Sequence, residues 1–270
     1  MAISGNVRLI NNIAADNNKF GIYLGSSSNN ILANNTVTKN VDGIKLASSN
    51  YNILANNTVT NNHYGIILDN NINNNLVENN TVVDNYDGIY MEWIGTGNNT
   101  LTDNIISNNN RFGINLFHSS NTTITNNIAA NNNCGIHLEV SSNNILENNI
   151  ATDNYEGIYL DSSSNNKLTN NTLANNNEEG IYLYYSTSNL IYNNFFNNFV
   201  NTRFSGTNVG NVWNTAKTPG TNIAGGLYLG GNYWATPGGT GFSQTCTDAD
   251  GDGICDASYA LDGYNTDYLR

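Results

Sequence analysis

The sharpest chemical signal in the chain is an acidic run near its C-terminus, Asp248-x-Asp250-x-Asp252-Gly253-Ile254-x-Asp256. Carboxylates at alternate positions converge where the backbone turns, and Gly253 permits that turn. With the carbonyl of Ile254 and the side chain of Asp256 they form an oxygen cage suited to hard Ca2+, which takes about six to eight oxygens. The spacing follows an EF-hand loop at positions 1, 3, 5, 6 and 9, but position 12 falls on Tyr259, which is no bidentate acid. Asp262 or Asp267 would have to serve instead, or the loop is a thrombospondin-like variant. The ion is expected to stabilise the C-terminal region rather than to catalyse. Cys246 and Cys255 bracket the loop, and a bridge between them would restrain it and imply an oxidising compartment. Cys134 is left over.

A second set of chemical groups recurs with a period. Gly-Ile pairs begin at Gly21, Gly43, Gly65, Gly88, Gly113, Gly135, Gly157 and Gly180, about 22 residues apart. Between the Ile and the following Leu stand Tyr23, Lys45, Ile67, Tyr90, Asn115, His137, Tyr159 and Tyr182; beyond the Leu stand Asp69, Glu92, Phe117, Glu139, Asp161 and Tyr184. Trp93, His118 and Tyr185 lie beside them, and Asp42, Asp87, Glu156 and Glu179 precede the Gly. Strand alternation points these residues outward as an aromatic and acidic face. Tyr90, Glu92, Trp93, Tyr159, Asp161, Tyr182 and Tyr184 are its candidate carbohydrate-binding residues, because rings offer apolar faces to sugar C–H groups and carboxylates accept from hydroxyls. The plainer reading is that Tyr favours strands. Glu139 and Asp161, on adjacent repeats, are the candidate acid and nucleophile of a retaining glycosidase. Lys45, Arg111 and Lys167 do not cluster, as a polyuronate lyase would want, and the segment from Trp93 to Gly97 is a candidate substrate-facing loop. His118 and His137 read as surface residues rather than metal ligands.

What must position these groups is the repeat itself, N-x-L-x-x-N-x-V-x-x-N-x-x-G-I-x-L. It holds three short apolar segments per copy, alternates within Ile-x-Leu, and shows no helical period. A unit of this size is one coil of a parallel β-helix, and about nine to eleven coils stacked at the sheet spacing make a rod of about 50 Å. The chain has 61 Asn among its 270 residues. Asn tolerates left-handed backbone angles, and its amide can bond to copies above and below. One ladder is expected through Asn35, Asn57, Asn80, Asn104, Asn127, Asn149, Asn171 and Asn194, and a second through Asn40, Asn62, Asn85, Asn109, Asn132, Asn154 and Asn176. A hydroxyl ladder is expected through Ser27, Ser49, Ser119, Ser141, Ser163 and Ser186. Ile31, Ile53, Leu76, Ile145 and Leu190 make either an outward apolar stripe open to a partner or a bend turned inward. Sequons such as Asn34-Asn35-Thr36 read as by-products of the repeat.

Composition sets outer limits. A formal charge of -12 argues against nucleic acid and against an anionic membrane surface. No apolar run is long enough to span a bilayer. The opening Met1-Ala2-Ile3-Ser4-Gly5 carries no secretory signal and reads either as an engineered start or as the start of an excised domain, so the sequence states no address.

Repetition fades after Asn201, so residues 1–201 read as repeat coils, 202–245 as irregular final coils and cap, and 246–270 as the acidic loop and tail, all in one domain. Together with the repeats, Asn222-Ile223-Ala224-Gly225-Gly226, Gly230-Gly231-Asn232-Tyr233-Trp234 and Asp248-Ala249-Asp250-Gly251-Asp252-Gly253-Ile254 resemble NosD-like β-helix proteins, most of all the copies on archaeal cell surfaces, especially in methanogens. The resemblance implies a right-handed helix of the carbohydrate-binding and sugar-hydrolase type. The NosD name implies copper, whose soft ligands are sparse here, with 3 His and 2 Met.

The functional expectation is a secreted or cell-surface structural and recognition module, calcium-stabilised, that binds extracellular polysaccharide without turning it over. The alternatives are a polysaccharide hydrolase or lyase working on the acidic face, and an assembly protein that self-associates through its coils.

Overall fold

The computed structural model describes residues 5–95 and 97–268; residues 1–4, Thr96 and residues 269–270, with the readings that fall on them, lie outside the described residues. From Arg8 to Ser205 the chain winds through nine three-stranded coils, whose strands stack into three parallel sheets. The first sheet has nine strands, the second ten and the third nine, the tenth strand of the second sheet being Tyr233–Ala235 from the cap. The third sheet is built from Phe20–Gly25, Asp42–Ala47, Tyr64–Asp69, Asp87–Gly95, Phe112–Ser119, Cys134–Glu139, Glu156–Asp161, Glu179–Tyr184 and Val200–Ser205. This is an all-β parallel β-helix. Eight steps at the sheet spacing give a rod of about 40 Å. It is shorter than the spacing suggested because beyond Ser205 only an irregular partial coil continues the stack, through Val212 opposite Leu190 and Tyr233–Ala235 in the second sheet, and the segments between them fold as a cap.

Equivalent residues sit directly above one another. Ile22, Ile44 and Ile66 are in register, as are Leu24, Leu46 and Leu68, and the inward columns have almost no exposure. Each sheet contributes one or two such columns to a single core. The glycine column exists for close approach. A Cβ on Gly65 would lie 2.5 Å from the carbonyl oxygen of Gly88, and one on Gly135 would lie 2.6 Å from that of Gly157.

The two tasks assigned to Asn fall on two adjacent residues. Asn34, Asn56, Asn79, Asn126, Asn148 and Asn170 carry positive φ near 55° and turn the chain. The next residue, buried, makes the ladder: Asn104 Nδ2 and its backbone N–H both donate to Asn127 Oδ1, at 2.9 and 3.0 Å. Both expected Asn ladders form, and a third runs through Asn30, Asn52, Asn75 and Asn99, then resumes from Asn144 to Asn211. Thr122 interrupts it, leaving its own hydroxyl buried without a partner. In the serine ladder the hydroxyl oxygens of Ser49, Ser141, Ser163 and Ser186 accept the backbone N–H of the serine one coil before, and every hydroxyl donates to a carbonyl, so the hydroxyls do not bond to one another. Buried Ile72 breaks that column. From Asn to Asn the ladder bonds all run toward the C-terminal end, while Nδ2 also donates back to a carbonyl of the preceding coil, as Asn104 Nδ2 does to Val77.

At that end the core is closed by aromatic rings. Phe196 and Trp234 stack at 4.4 Å, Trp213 meets Trp234 at 5.8 Å, and Tyr259 covers Trp234 at 5.6 Å. The tail then returns. Asp267, fully buried, accepts from Asn232 N (2.8 Å), Asn232 Nδ2 (3.2 Å) and Trp234 Nε1 (2.9 Å), while Trp213 Nε1 donates to Asn265 Oδ1. The Asn ladder through Asn104 therefore ends on a group that only accepts.

Candidate functional site

Three columns cover the outer face of the third sheet. The central one is Tyr23, Lys45, Ile67, Tyr90, Asn115, His137, Tyr159, Tyr182 and Arg203, each opposite the next. One flank carries Glu92, Phe117, Glu139, Asp161 and Tyr184 in successive coils. The other carries the residues that precede each Gly. All the aromatic and acidic candidates therefore share one face. Tyr90, Glu92 and Trp93 stand on one strand, and Tyr159, Asp161, Tyr182 and Tyr184 on two others, with Phe112–Ser119 and Cys134–Glu139 between them.

The rings stack on each other along the rod. Phe112, His137, Tyr159 and Tyr182 follow at centroid distances of 4.6, 4.8 and 4.7 Å, and the Arg203 guanidinium closes the stack 5.0 Å over Tyr182. Stacked this way they present edges and hydroxyls outward. The expectation that open ring faces meet a sugar is corrected for these tyrosines. Trp93, 52% exposed at the corner, has one face on His118 at 4.3 Å and donates its Nε1–H to Glu92. Burial pushes the Tyr90 and Tyr159 hydroxyls up, with Glu92 and Asp161 adding to it, so both remain donors.

The acids before the glycines do not belong to an open acidic stripe. Asp42, Asp87 and Glu179 are buried and Glu156 is half-buried. Arg111 grips Asp87 through Nε (2.9 Å) and Nη2 (2.5 Å), and Arg203 Nη1 donates to Glu179 (2.8 Å). Lys45 pairs with Asp69 at 3.2 Å. These partners come from neighbouring coils, which spacing within one repeat does not reveal. His137 is likewise not a surface residue. It is 4% exposed, its Nδ1 lies 3.0 Å from Asn115 Oδ1, and burial, helped by Arg111, lowers its pKa to about 4. Neutral and donating from Nδ1, it leaves Nε2 as a bare acceptor without a partner. Burial, then the neighbouring Asp161, raises Glu139. Burial likewise pushes the Cys134 thiol well up, which makes it inert.

The apolar stripe stays outside: Ile31, Ile53, Leu76 and Leu190 are half-buried and Ile145 is 39% exposed, so alternation holds and no bend turns them in. Thr100, Thr123 and Lys167 occupy the same column and interrupt it.

At the cap, Cys246 and Cys255 are bonded, with Cα atoms 5.8 Å apart. Ligand oxygens of Asp248, Asp250 and Asp252 lie within 4.8 Å of one another. Asp248 accepts from the N–H groups of Gly251, Asp252 and Gly253, Asp256 from that of Ala249, and Lys217 pairs with Asp252. The Ile254 side chain is buried. Neither suggested replacement for position 12 is placed as a ligand. Asp262 accepts from Tyr264 and Asn265, and Asp267 sits in the core. A cleft of about 400 Å³ lies between the disulfide loop and the segments around Gly225 and Gly231. Its polar side chains Asn193, Asn222 and Ser243 are already bonded to nearby backbone N–H groups.

No helix among the described residues is long and apolar enough to cross a membrane. The family model described as periplasmic copper-binding protein (NosD) matches residues 1–93 and 70–239. No protein of curated function matches the sequence closely. Among solved structures, the mannuronan C-5 epimerase AlgE6 A-module of Azotobacter vinelandii superposes with a TM-score of 0.65 at 16% identity, over 84% of this chain and 69% of that one. The periplasmic alginate epimerase AlgG gives 0.59 at 23%, over 69% and 47%. The enzymatically active domain of tailspike protein 2 of bacteriophage CBA120 gives 0.59 at 11%, over 86% and 41%. These likenesses are of fold; the chain spans less than half of the latter two.

Proposed function

Because the chain belongs to the NosD family of parallel β-helix proteins, we propose that it is a secreted or cell-surface recognition module that binds a glycan along the outer face of its third sheet without turning it over. The observation that carries this reading is the register: Tyr90, Asn115, His137, Tyr159 and Tyr182 stand in one line over consecutive coils and Glu92, Phe117, Glu139, Asp161 and Tyr184 in the line beside it, an extended row of polar and aromatic groups matched to an extended chain. Fold neighbours named for polysaccharide chemistry support it. Hydrolysis is disfavoured by geometry. A retaining pair must flank the scissile bond, whereas Glu139 and Asp161 rise side by side from one sheet face and approach a sugar from the same side.

Copper does not fit these residues. His63 stacks on Tyr86, His118 on Trp93, and His137 is buried against Asn115; Met91 is in the core and two of the three cysteines are bonded. The only cluster of metal-ligating groups among the described residues is the aspartate loop, a hard oxygen set. Calcium is its proposed ion, with the role of holding the cap.

The test is a glycan array followed by long incubation with each ligand bound. Retention without product release is expected. Product that disappears in Glu139→Ala would instead establish the hydrolase reading, and an array with no bound glycan would remove this function altogether.

A further inference from the structure

The charges of the third-sheet face are unevenly matched. Its three cations, Lys45, Arg111 and Arg203, each already hold a carboxylate of the same face. Glu92, Glu139, Glu156 and Asp161 have no cation within ion-pair distance among the described residues. Glu139 and Asp161 stand opposite each other on adjacent strands, where like charges repel. The same surface also leaves buried acceptors without a donor. Of the few buried side-chain atoms that find no partner, two lie here, His137 Nε2 and Glu179 Oε2, each on a residue 4% exposed. Both are acceptors. They stand on the strands either side of Glu156–Asp161, so the shortage is concentrated where the unpaired carboxylates are.

We propose that this face takes a glycan bearing free amino groups and rejects polyuronates. The inference rests on the glycan-binding reading above and names the ligand class. An ammonium brings three donors and a positive charge to a surface rich in acceptors and negative charge. The exposed Trp93 flanks it with a further site for a cation. A uronate chain adds a carboxylate per sugar where every available cation is already engaged. The fold of the alginate and mannuronan epimerases is shared here, but the charge of their substrates does not suit this face.

Length-matched oligomers of glucosamine, N-acetylglucosamine and mannuronate separate the possibilities by calorimetry at about pH 6, where a sugar amine is largely protonated. The glucosamine oligomer is expected to bind about tenfold more tightly than its acetylated analogue and to weaken as salt rises, with no binding of the mannuronate. Glu139→Gln combined with Asp161→Asn should erase that tenfold preference without lowering the melting temperature. The control is Asp84→Asn with Asp103→Asn, which removes two exposed charges from other corners of the rod. If it weakens binding equally, the attraction is bulk charge and the proposal falls. Equal binding of the amino and acetylated oligomers, or preference for the mannuronate, also overturns it while leaving a glycan-binding face. Failure of all three oligomers and of the array removes the functional reading beneath it.

Discussion

In the coils, the amide of Asn104 sits between copies of itself, accepting from Asn80 and donating to Asn127. In the cap, the equivalent amide of Asn232 meets the carboxylate of Asp267, 35 residues further on. The same demand, that no buried amide be left without a partner, is met by repetition in one region and by a unique tertiary contact in the other. The coils can therefore lose one rung and keep their neighbours in register. The cap holds several donors on one carboxylate, so its failure is abrupt.

The largest expected effect lies at that carboxylate. Asp267→Ala leaves two buried donors, the Asn232 backbone N–H and the Trp234 indole N–H, without an acceptor and should cost about 4 kcal/mol in chemical denaturation. A loss below about 1 kcal/mol would mean that water or the tail replaces it and that the two regions are not different in kind.

Next comes the pH dependence of the coils. The imidazole of His137 is protonated in the unfolded chain below about 6.5 but in the folded one only near about 4. Stability should therefore fall as pH drops through that window, by up to about 3 kcal/mol, and His137→Phe should remove that part of the slope. Glu139 and Glu156, raised by burial, act in the opposite sense, since the folded state regains stability as each takes its proton. The difference between variant and parent isolates the histidine. Parallel profiles would show that its ring is more open to water than its burial implies.

Within one corner, adjacent residues should behave oppositely. Asn127→Ala breaks a rung and should cost about 2 kcal/mol, whereas Asn126→Gly, at φ 57°, should change stability by less than about 0.5 kcal/mol. Equal costs would contradict the division of labour.

The smallest effect is expected at the aspartate loop. Chelation should lower the melting temperature by about 2–4 °C, and Asp250→Ala should abolish the difference. An unchanged melt on chelation would refute a stabilising calcium, because Lys217 beside Asp252 would then suffice.

The coils were legible because a period writes its own register: once Gly21, Gly43 and Gly65 are aligned, every column follows. The third Asn ladder carried the same signal and was obscured by Thr122. The pairing of a turning residue with a bonding one also left a trace. Asp replaces Asn at Asp84, Asp103 and Asp153, where only φ matters, and not at the ladder positions that follow them. The candidate face was readable as a set of residues but not as a surface. The partner of Asp87 is 24 residues away on the next coil, and nothing in the local pattern shows that Arg111 reaches back to it. The stacking that turns tyrosine edges outward depends on coil spacing rather than on any one repeat. The cap contacts were out of reach altogether, since Asp267 and Asn232 share no spacing with anything else in the chain.

Because every rung hands its hydrogen bond on in one direction, the rod has a polarity and an interchangeable unit. Excising residues 128–149 would bring Asn127 opposite Asn171 with each ladder shortened by one member and none broken. Length is thus a quantity that duplication or loss of a coil can change without disturbing the fold, and the number of sugars such a wall can read would change with it.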